Sequence, residues 1–273
     1  MSTDPFRYDG KRALVVGAAT GMGAATAQVV AGLGAEVVAV DIAEVSYDVA
    51  ASHAVDLRDK DGVDALLAGW TEPFDAVFLC AGVADGTPGL MVINVISQRH
   101  LLDGLRAKGL LPRGSAVALI SSQAGMGWMT NLPQLLDFLS ATTWDDAVAW
   151  LEANPGNDHY LFSKQVINAY VAQAALDLLR DGIRLNAVLP GPTDTPLARA
   201  NADTWLVFGA DYRDAAGLAT LSPEQMARPL AFLCSDAADG IAGVTLAVDQ
   251  GQMAAAVTGT FPDELVSALL GIG

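Results

Sequence analysis

The stretch Arg12-Ala13-Leu14-Val15-Val16-Gly17-Ala18-Ala19-Thr20-Gly21-Met22-Gly23 decides the fold. Its first half is an apolar, β-favouring run without polar alternation, the pattern of a strand covered on both faces. Spaced glycines follow, and an Ala- and Val-rich helical stretch then runs to about Leu33. Glycines at such a junction let the backbone turn tightly and approach a pyrophosphate, whose charge the free N–H groups and dipole of the helix start can hold. A glycine-rich turn alone is a weak signal, because many strand–helix junctions use glycine for packing. The next apolar run, Ala35–Asp41, strengthens it: Asp41 lies 18 residues beyond Gly23 and ends that strand. A carboxylate there accepts hydrogen bonds from adenosine ribose hydroxyls and repels a 2′-phosphate. No Arg or Lys stands at 18–22 or directly after Asp41, so NAD is expected rather than NADP.

Outward from this unit the alternation continues. Apolar runs recur at Asp75–Cys80, Ser115–Ser121, Ile183–Leu189 and Val244–Asp249, with a short strand at Ala54-Val55-Asp56. Helical patterns lie between them at roughly 87–108, 158–181 and 223–234. This predicts an α/β fold, one parallel, doubly wound sheet with right-handed crossovers and helices on both faces. With no fixed-period repeat and no low-complexity linker, 1–273 is expected to be a single domain. The segment 42–53 is too short and mixed for a crossover helix. A long insert, about 126–157, separates Ser122 from Tyr160. Within it Thr143 is a helix cap with Asp146 at the third position, and Trp144, Ala147, Val148 and Leu151 follow at helical spacing until Asn154-Pro155-Gly156.

Composition narrows the function classes. Acidic residues outnumber basic ones 31 to 15 among 273 residues, a formal net charge of -16 that repels phosphate backbones and argues against nucleic-acid binding. Hydrophobic residues make up 52% and charged ones 17%, too apolar for a disordered chain. Two cysteines and three histidines are too few for a disulfide framework or a clustered zinc site, so no metal is expected. Met1 to Gly10 is polar, and no apolar run reaches the length of a membrane span, so a cytoplasmic protein is expected.

Tyr160-Leu161-Phe162-Ser163-Lys164 places Tyr and Lys on one helix face. A nearby ammonium stabilises a phenolate and makes tyrosine a usable acid/base. Such pairs also arise by chance on helix surfaces. Ser121-Ser122 at a strand C-terminus adds weight, because open α/β sheets place their sites there.

These motifs together resemble the short-chain dehydrogenase/reductase family over nearly the whole chain. Gly17-x-x-x-Gly21-x-Gly23 has its glycine spacing, with Thr20 and Met22 inside the turn and Ile42 following Asp41. Asp56-Leu57 resembles the adenine-contacting pair, and Cys80-Ala81-Gly82 stands where Asn-Ala-Gly is usual. Asn94, Ser122, Tyr160 and Lys164 match the catalytic tetrad, and Pro190-Gly191-Pro192-Thr193-Asp194-Thr195 matches the segment that holds the nicotinamide carboxamide. The resemblance implies a Rossmann-type sheet of about seven strands in the order 3-2-1-4-5-6-7. It also implies that Tyr160 takes the alcohol proton as hydride leaves for the nicotinamide, and that Ser122 binds the substrate oxygen. Lys164 would bind the nicotinamide ribose and lower the tyrosine pKa, and Asn94 would perturb its helix and hold a water. Val16 and Cys80 depart from the usual Thr and Asn, losing side-chain hydrogen bonds. The 38-residue separation of Ser122 and Tyr160 is the larger departure. It resembles a subgroup containing 3α-hydroxysteroid dehydrogenase/carbonyl reductases and coniferyl alcohol dehydrogenases, which points to hydrophobic, ring-bearing alcohols or ketones.

In that family the segment about 196–222 is a substrate loop, so Trp205, Leu206, Val207, Phe208 and Tyr212 are expected to form a lid over an apolar substrate. Met126, Trp128, Met129 and Leu132 either wall a pocket or pack the insert. His53, His100 and His159 are scattered and read as non-ligands, and Cys80 and Cys234 as reduced core cysteines. A 3-oxoacyl-carrier-protein reductase shares the scaffold but prefers NADPH and meets its acidic carrier with basic residues. An enoyl reductase spaces Tyr and Lys by six residues rather than three, and a non-catalytic NAD binder would not need the tetrad. Members of that family usually form dimers or tetramers through the two long helices, and the apolar stripe of 158–181 (Val166, Ala169, Tyr170, Ala174, Leu178) exceeds one sheet contact, so the resemblance implies a homodimer or homotetramer, with the insert crossing to a partner or blocking an interface.

Overall fold

Strand β1 (Arg12–Val16) sits at the centre of one seven-stranded parallel sheet of order β3-β2-β1-β4-β5-β6-β7. The other strands are β2 (Glu36–Asp41), β3 (Ala51–Ala54), β4 (Ala76–Leu79), β5 (Ala116–Ile120), β6 (Arg184–Pro190) and β7 (Thr245–Val248). This computed structural model describes residues 4–271; the N-terminal reading above begins on residues 1–3, which lie outside the described residues. Among the described residues no helix is long and apolar enough to cross a membrane.

Alternate side chains of each strand leave opposite faces, and the register turns that alternation into two layers. Val38, Leu14, Val77, Val117 and Leu185 form one row across five strands. They face α2 (Lys60–Gly69), α3 (Ser97–Ala107) and α6 (Tyr160–Arg180) in the larger core. The adjacent row carries Ala13, Ala76 and Ala116. These small side chains belong to the core on the other face, with Ala27 and Val30 of α1 (Gly21–Gly32) and Leu230 and Ala231 of α10 (Pro223–Cys234). No helix links β2 to β3; Val45, Tyr47 and Val49 of that loop pack on the α1 side instead.

Three boundaries differ from the sequence reading. The short strand is Ala51–Ala54 rather than 54–56, pairing Val38↔Ala51 to Asp41↔Ala54. It is an edge strand with alternating exposure, so its polar Ser52 and His53 concealed it. The helix expected from 87 is regular only over Ser97–Ala107, because a π turn occupies Val92–Ile96 and Pro88 lies in a turn before it. The insert holds two helices, α4 (Leu132–Ser140) as well as the expected α5 (Trp144–Ala153). Thr143 caps α5 as anticipated, its Oγ1 accepting from the Asp146 N–H at 3.1 Å. The segment 196–222 contains α7 (Pro196–Ala200), α8 (Ala202–Trp205) and α9 (Ala210–Ala216), and α11 (Gln252–Val257) and α12 (Glu264–Leu270) close the chain.

The insert lies on its own chain. Leu135, Phe138 and Leu139 of α4 join Phe162, Val166 and Tyr170 of α6 in one buried cluster. Phe138 meets Trp150 and Phe162 edge-on, at centroid distances of 5.2 and 5.9 Å. The apolar stripe that argued for a partner is therefore covered in cis over the first half of α6. Trp128 packs against the same core and Met126 is buried in another, so packing is the reading the structure takes for these two, while Met129 is 69% exposed and does neither.

Phe138 is fully buried. Phe138→Ala should therefore lower the unfolding free energy in urea by about 3–5 kcal/mol. A loss under about 1 kcal/mol would mean that the insert folds independently of the sheet core.

Candidate active site

The chain leaves β1 toward α1 on one face and β4 toward α3 on the other, so a crevice opens where the two strands end. Gly17 has φ +82°, and a Cβ there would stand 2.5 Å from the Ala81 nitrogen. A Cβ on Gly23 would overlap the Gly17 carbonyl oxygen. Both positions therefore require glycine, and the turn between them faces a cavity of about 370 Å³. Gly17, Thr20, Gly21, Met22, Gly23, Asp41, Ile42, Asp56, Leu57, Cys80, Ala81, Gly82 and Thr195 all line it. At its far end Asp41 is held by main-chain donors, Ala19 N–H at 2.8 Å and Ala43 N–H at 2.9 Å. Sequence reasoning missed two neighbours. Arg58 lines the cavity but is forked onto Asp56, at 2.6 Å, which holds that carboxyl below its ordinary range. Tyr47 donates to the Ala18 carbonyl at 2.5 Å and braces the glycine turn from the β2–β3 loop.

A second cavity, about 320 Å³, adjoins the first through Met22, Cys80, Gly82, Thr195 and Leu197. Ser122, Tyr160, Lys164, Pro190, Gly191 and Thr193 line it. Ser122 follows β5, and Tyr160 opens α6, whose first turn is capped by His159 Nδ1 accepting from the Phe162 N–H at 3.2 Å. That role of His159 was not anticipated. Burial pushes the Tyr160 phenol up to about 12; the Ser122 hydrogen bond opposes this and the charge of Asp85 adds to it. Lys164 stands beside the phenol. Its ammonium lies 5.3 Å over the phenol ring, donates to the Ile120 carbonyl at 2.9 Å and is itself pulled down to about 8 by burial.

Asn94 does not line either cavity. It lies fully buried in the π turn, accepting from the Val83 N–H at 2.8 Å and donating to the Val83 carbonyl at 3.1 Å and to Ser163 Oγ at 3.2 Å. Its side-chain amide is thus committed to the protein, and its main-chain carbonyl accepts from Gln98 Nε2 at 3.1 Å. Gln98 Nε2 also donates to the Ile93 carbonyl within the π turn at 3.0 Å and to the Ala81 carbonyl after β4 at 2.8 Å.

The remaining walls are apolar. Trp205 packs on Tyr160 with ring centroids 4.7 Å apart, and Leu197, Ala198 and Phe208 continue that side. Leu265 and Leu269 of α12 close the opposite side, a contribution that sequence reasoning missed because nothing local marks a distant C-terminal helix. Of Trp205, Leu206, Val207, Phe208 and Tyr212, only Trp205 and Phe208 face the cavity. Tyr212 donates to the Gln250 carbonyl instead, at 2.9 Å.

Comparison with known proteins is consistent with this geometry. The chain is 34% identical over 256 residues to a cis-4-hydroxycyclohexanecarboxylate dehydrogenase of Sinomonas cyclohexanicum, across 89% of this chain and 96% of that one. It is a short-chain dehydrogenase/reductase. Other members of the family that it resembles include a coniferyl-alcohol dehydrogenase of a Pseudomonas species (26%, covering 88% and 96%) and a 3-alpha-hydroxysteroid dehydrogenase/carbonyl reductase of Comamonas testosteroni (29%, covering 87% and 95%). A family model described as enoyl-(acyl carrier protein) reductase matches residues 146–253. The crystal structure of a Pseudomonas 3-alpha-hydroxysteroid dehydrogenase complexed with NADH has the same fold, at TM-score 0.70 and 24% identity over 92% of this chain and all of that one. The family binds nicotinamide dinucleotides, and the glycine turn, the anchored Asp41 and the two adjoining cavities of this member fit such a group.

Because the Gly17 carbonyl leaves no room for a methyl group, Gly23→Ala should abolish dinucleotide binding in a calorimetric titration. Retention of the wild-type dissociation constant would show that the dinucleotide lies elsewhere.

Proposed function

We propose that this short-chain dehydrogenase/reductase uses NAD to interconvert a hydrophobic, ring-bearing alcohol and its carbonyl. The observation that carries the reading is the apolar cavity opening directly over Ser122 and Tyr160. Among the described residues lining it, Lys164 is the only charged side chain, and that ammonium is engaged with Ile120. A carboxylate carried into this cavity by a substrate would meet no free counter-charge, which disfavours charged substrates. Trp205 and Phe208 suit a ring by shape and polarisability.

When bound, a nicotinamide dinucleotide supplies or accepts the hydride at the carbon of the reacting group. Gly17, Thr20, Gly21, Met22 and Gly23 would hold its pyrophosphate, Asp41 and Ile42 the adenosine ribose, and Asp56 and Leu57 the adenine. Cys80, Ala81, Gly82, Pro190, Gly191, Thr193 and Thr195 would surround the nicotinamide half, and Lys164 would reach its ribose. The Ser122 hydroxyl orients the substrate oxygen against the phenol. Tyr160 carries the proton: protonated at neutral pH, it donates to a carbonyl oxygen, and as phenolate it takes the proton of an alcohol. Its phenolate fraction grows with pH, so alcohol oxidation should quicken as the medium becomes alkaline. Asn94 acts from behind, holding the main chain at Val83 against the first turn of α6.

Tyr160→Phe should remove turnover in both directions while leaving NAD affinity within about twofold, since the hydroxyl serves the proton and not the dinucleotide. Activity above a few per cent would displace Tyr160 from this role. The preference for NAD is supported by the fixed carboxylate of Asp41 and by the pairing of Arg58 with Asp56. NAD should bind at least about tenfold tighter than NADP, a difference of about 1.4 kcal/mol. Equal or stronger binding of NADP in the same titration would overturn that part of the reading.

A further inference from the structure

Two carboxylates outside the tetrad join the helices that carry it. Asp85, in the turn after β4, accepts from the main-chain N–H of Tyr160 at 2.6 Å. Asp158, in the segment leading into α6, accepts from the Met91 N–H at 3.0 Å, immediately before the π turn that holds Asn94. Each acid thus comes from the chain preceding one helix and caps the start of the other. Helix starts need acceptors for their free N–H groups, but both acids are exposed, and water could serve there. A carboxylate does more than water: it ties two separate segments together and is held by the positive end of the helix dipole. The same junction carries the Asn94–Ser163 bond at 3.2 Å, and Ser163 in turn donates to the Tyr160 carbonyl at 2.6 Å.

We propose that Asp85 and Asp158 are a crossed pair of positioning residues that lock the helix bearing Tyr160 and Lys164 to the one bearing Asn94, fixing where the phenol meets the substrate oxygen. The inference rests on the dehydrogenase reading above. Misplacement of a proton-transfer group by an ångström costs turnover more than binding. The negative charge of Asp85 also acts on the phenol, in the direction opposite to the Ser122 hydrogen bond. Of the other titratable groups near that phenol, Lys164 on the same helix has its ammonium over the phenol ring and Cys80 lines the same cavity; His159 and Asp158, just before Tyr160 in the chain, are turned to the Phe162 and Met91 N–H groups, and Trp205 and the leucines of α12 bring no charge.

The test compares Asp85→Ala and Asp158→Ala, which lose the acceptor, with Asp85→Asn, which keeps an acceptor oxygen and loses the charge. Amide hydrogen exchange at Tyr160 should quicken by at least about tenfold in Asp85→Ala, and at Met91 in Asp158→Ala, while Asp85→Asn stays protected. With an alcohol substrate, both alanine variants should lose about tenfold or more in kcat with KM within about twofold. Asp85→Asn should recover most of that kcat, and its oxidation profile should move to lower pH, because removing a negative charge stabilises the phenolate. Unchanged exchange in Asp85→Ala overturns the lock. Wild-type kcat in both alanine variants, or an Asp85→Asn variant as slow as Asp85→Ala, overturns the positioning role even if melting temperatures fall; an Asp85→Asn profile that coincides with wild type overturns the charge effect alone. A wild type without turnover on any alcohol overturns the dehydrogenase reading and this inference with it, whereas an active wild type with unaffected variants overturns this inference alone.

Discussion

The backbones of Gly17 and Ala81 approach so closely that no side chain fits between them. That contact sits where the central strands β1 and β4 end and their chains depart to opposite faces of the sheet. The divergence opens the crevice, and the close approach sets its floor. On one side lie the glycine turn and Asp41; on the other, the shared border at Met22, Cys80 and Gly82 leads to the cavity under Trp205. A bulkier residue at position 17 would push the two strand ends apart and alter both cavities together.

Around that crevice Tyr160 and Lys164 are carried by α6, and Ser122 follows β5 directly with its hydroxyl accepting from the Ala124 N–H, which limits their motion. The cost is a buried polar layer beneath the site. Asn94, Gln98 and Ser163 are all buried; Asn94 bonds Ser163, and the layer reaches the cavity walls through the main chain of Val83, Ala81 and Tyr160. The π turn is part of that arrangement: the Gln98 amide donates to its Ile93 and Asn94 carbonyls. Lys164 is held in the same way, by the Ile120 carbonyl, while Ser121 Oγ donates to the Lys164 carbonyl at 3.1 Å. Burial then dictates the electrostatics. A phenol and an ammonium this deep are both pushed toward their neutral forms, and neighbouring hydrogen bonds and charges adjust each from there.

The insert performs a packing task that the sheet leaves open. Helix α6 presents apolar residues on more than one face, and α4 and α5 cover its first half with Phe138, Leu139 and Trp150, the last stacked on Phe162. Surface ion pairs join the insert to the body, such as Lys60 with Asp145 at 2.7 Å, but with both partners exposed to solvent they add little beside the aromatic burial.

Most of the sheet was legible because its strands are buried on both faces and therefore read as unbroken apolar runs. The edge strand β3 and the helix α4 were not placed correctly. In β3 half the residues face solvent and are polar. In α4, Pro133 and the spacing of Leu135, Phe138 and Leu139 were present but short. The residues of the candidate site were legible as motifs, since glycine spacing, a strand-end Asp and a Tyr-x-x-x-Lys pair are local patterns with a chemical reason. Their sequence alone determined the parallel layered fold and which side chains have chemistry to offer. Only the tertiary structure decided that Lys164 turns to Ile120, that Leu265 and Leu269 close the cavity, that Arg58 is neutralised by Asp56, and that Asp85 and Asp158 exchange helix caps. Those outcomes depend on contacts between residues far apart in the chain, and on how deeply each group is buried once they form, and neither quantity is carried by local pattern.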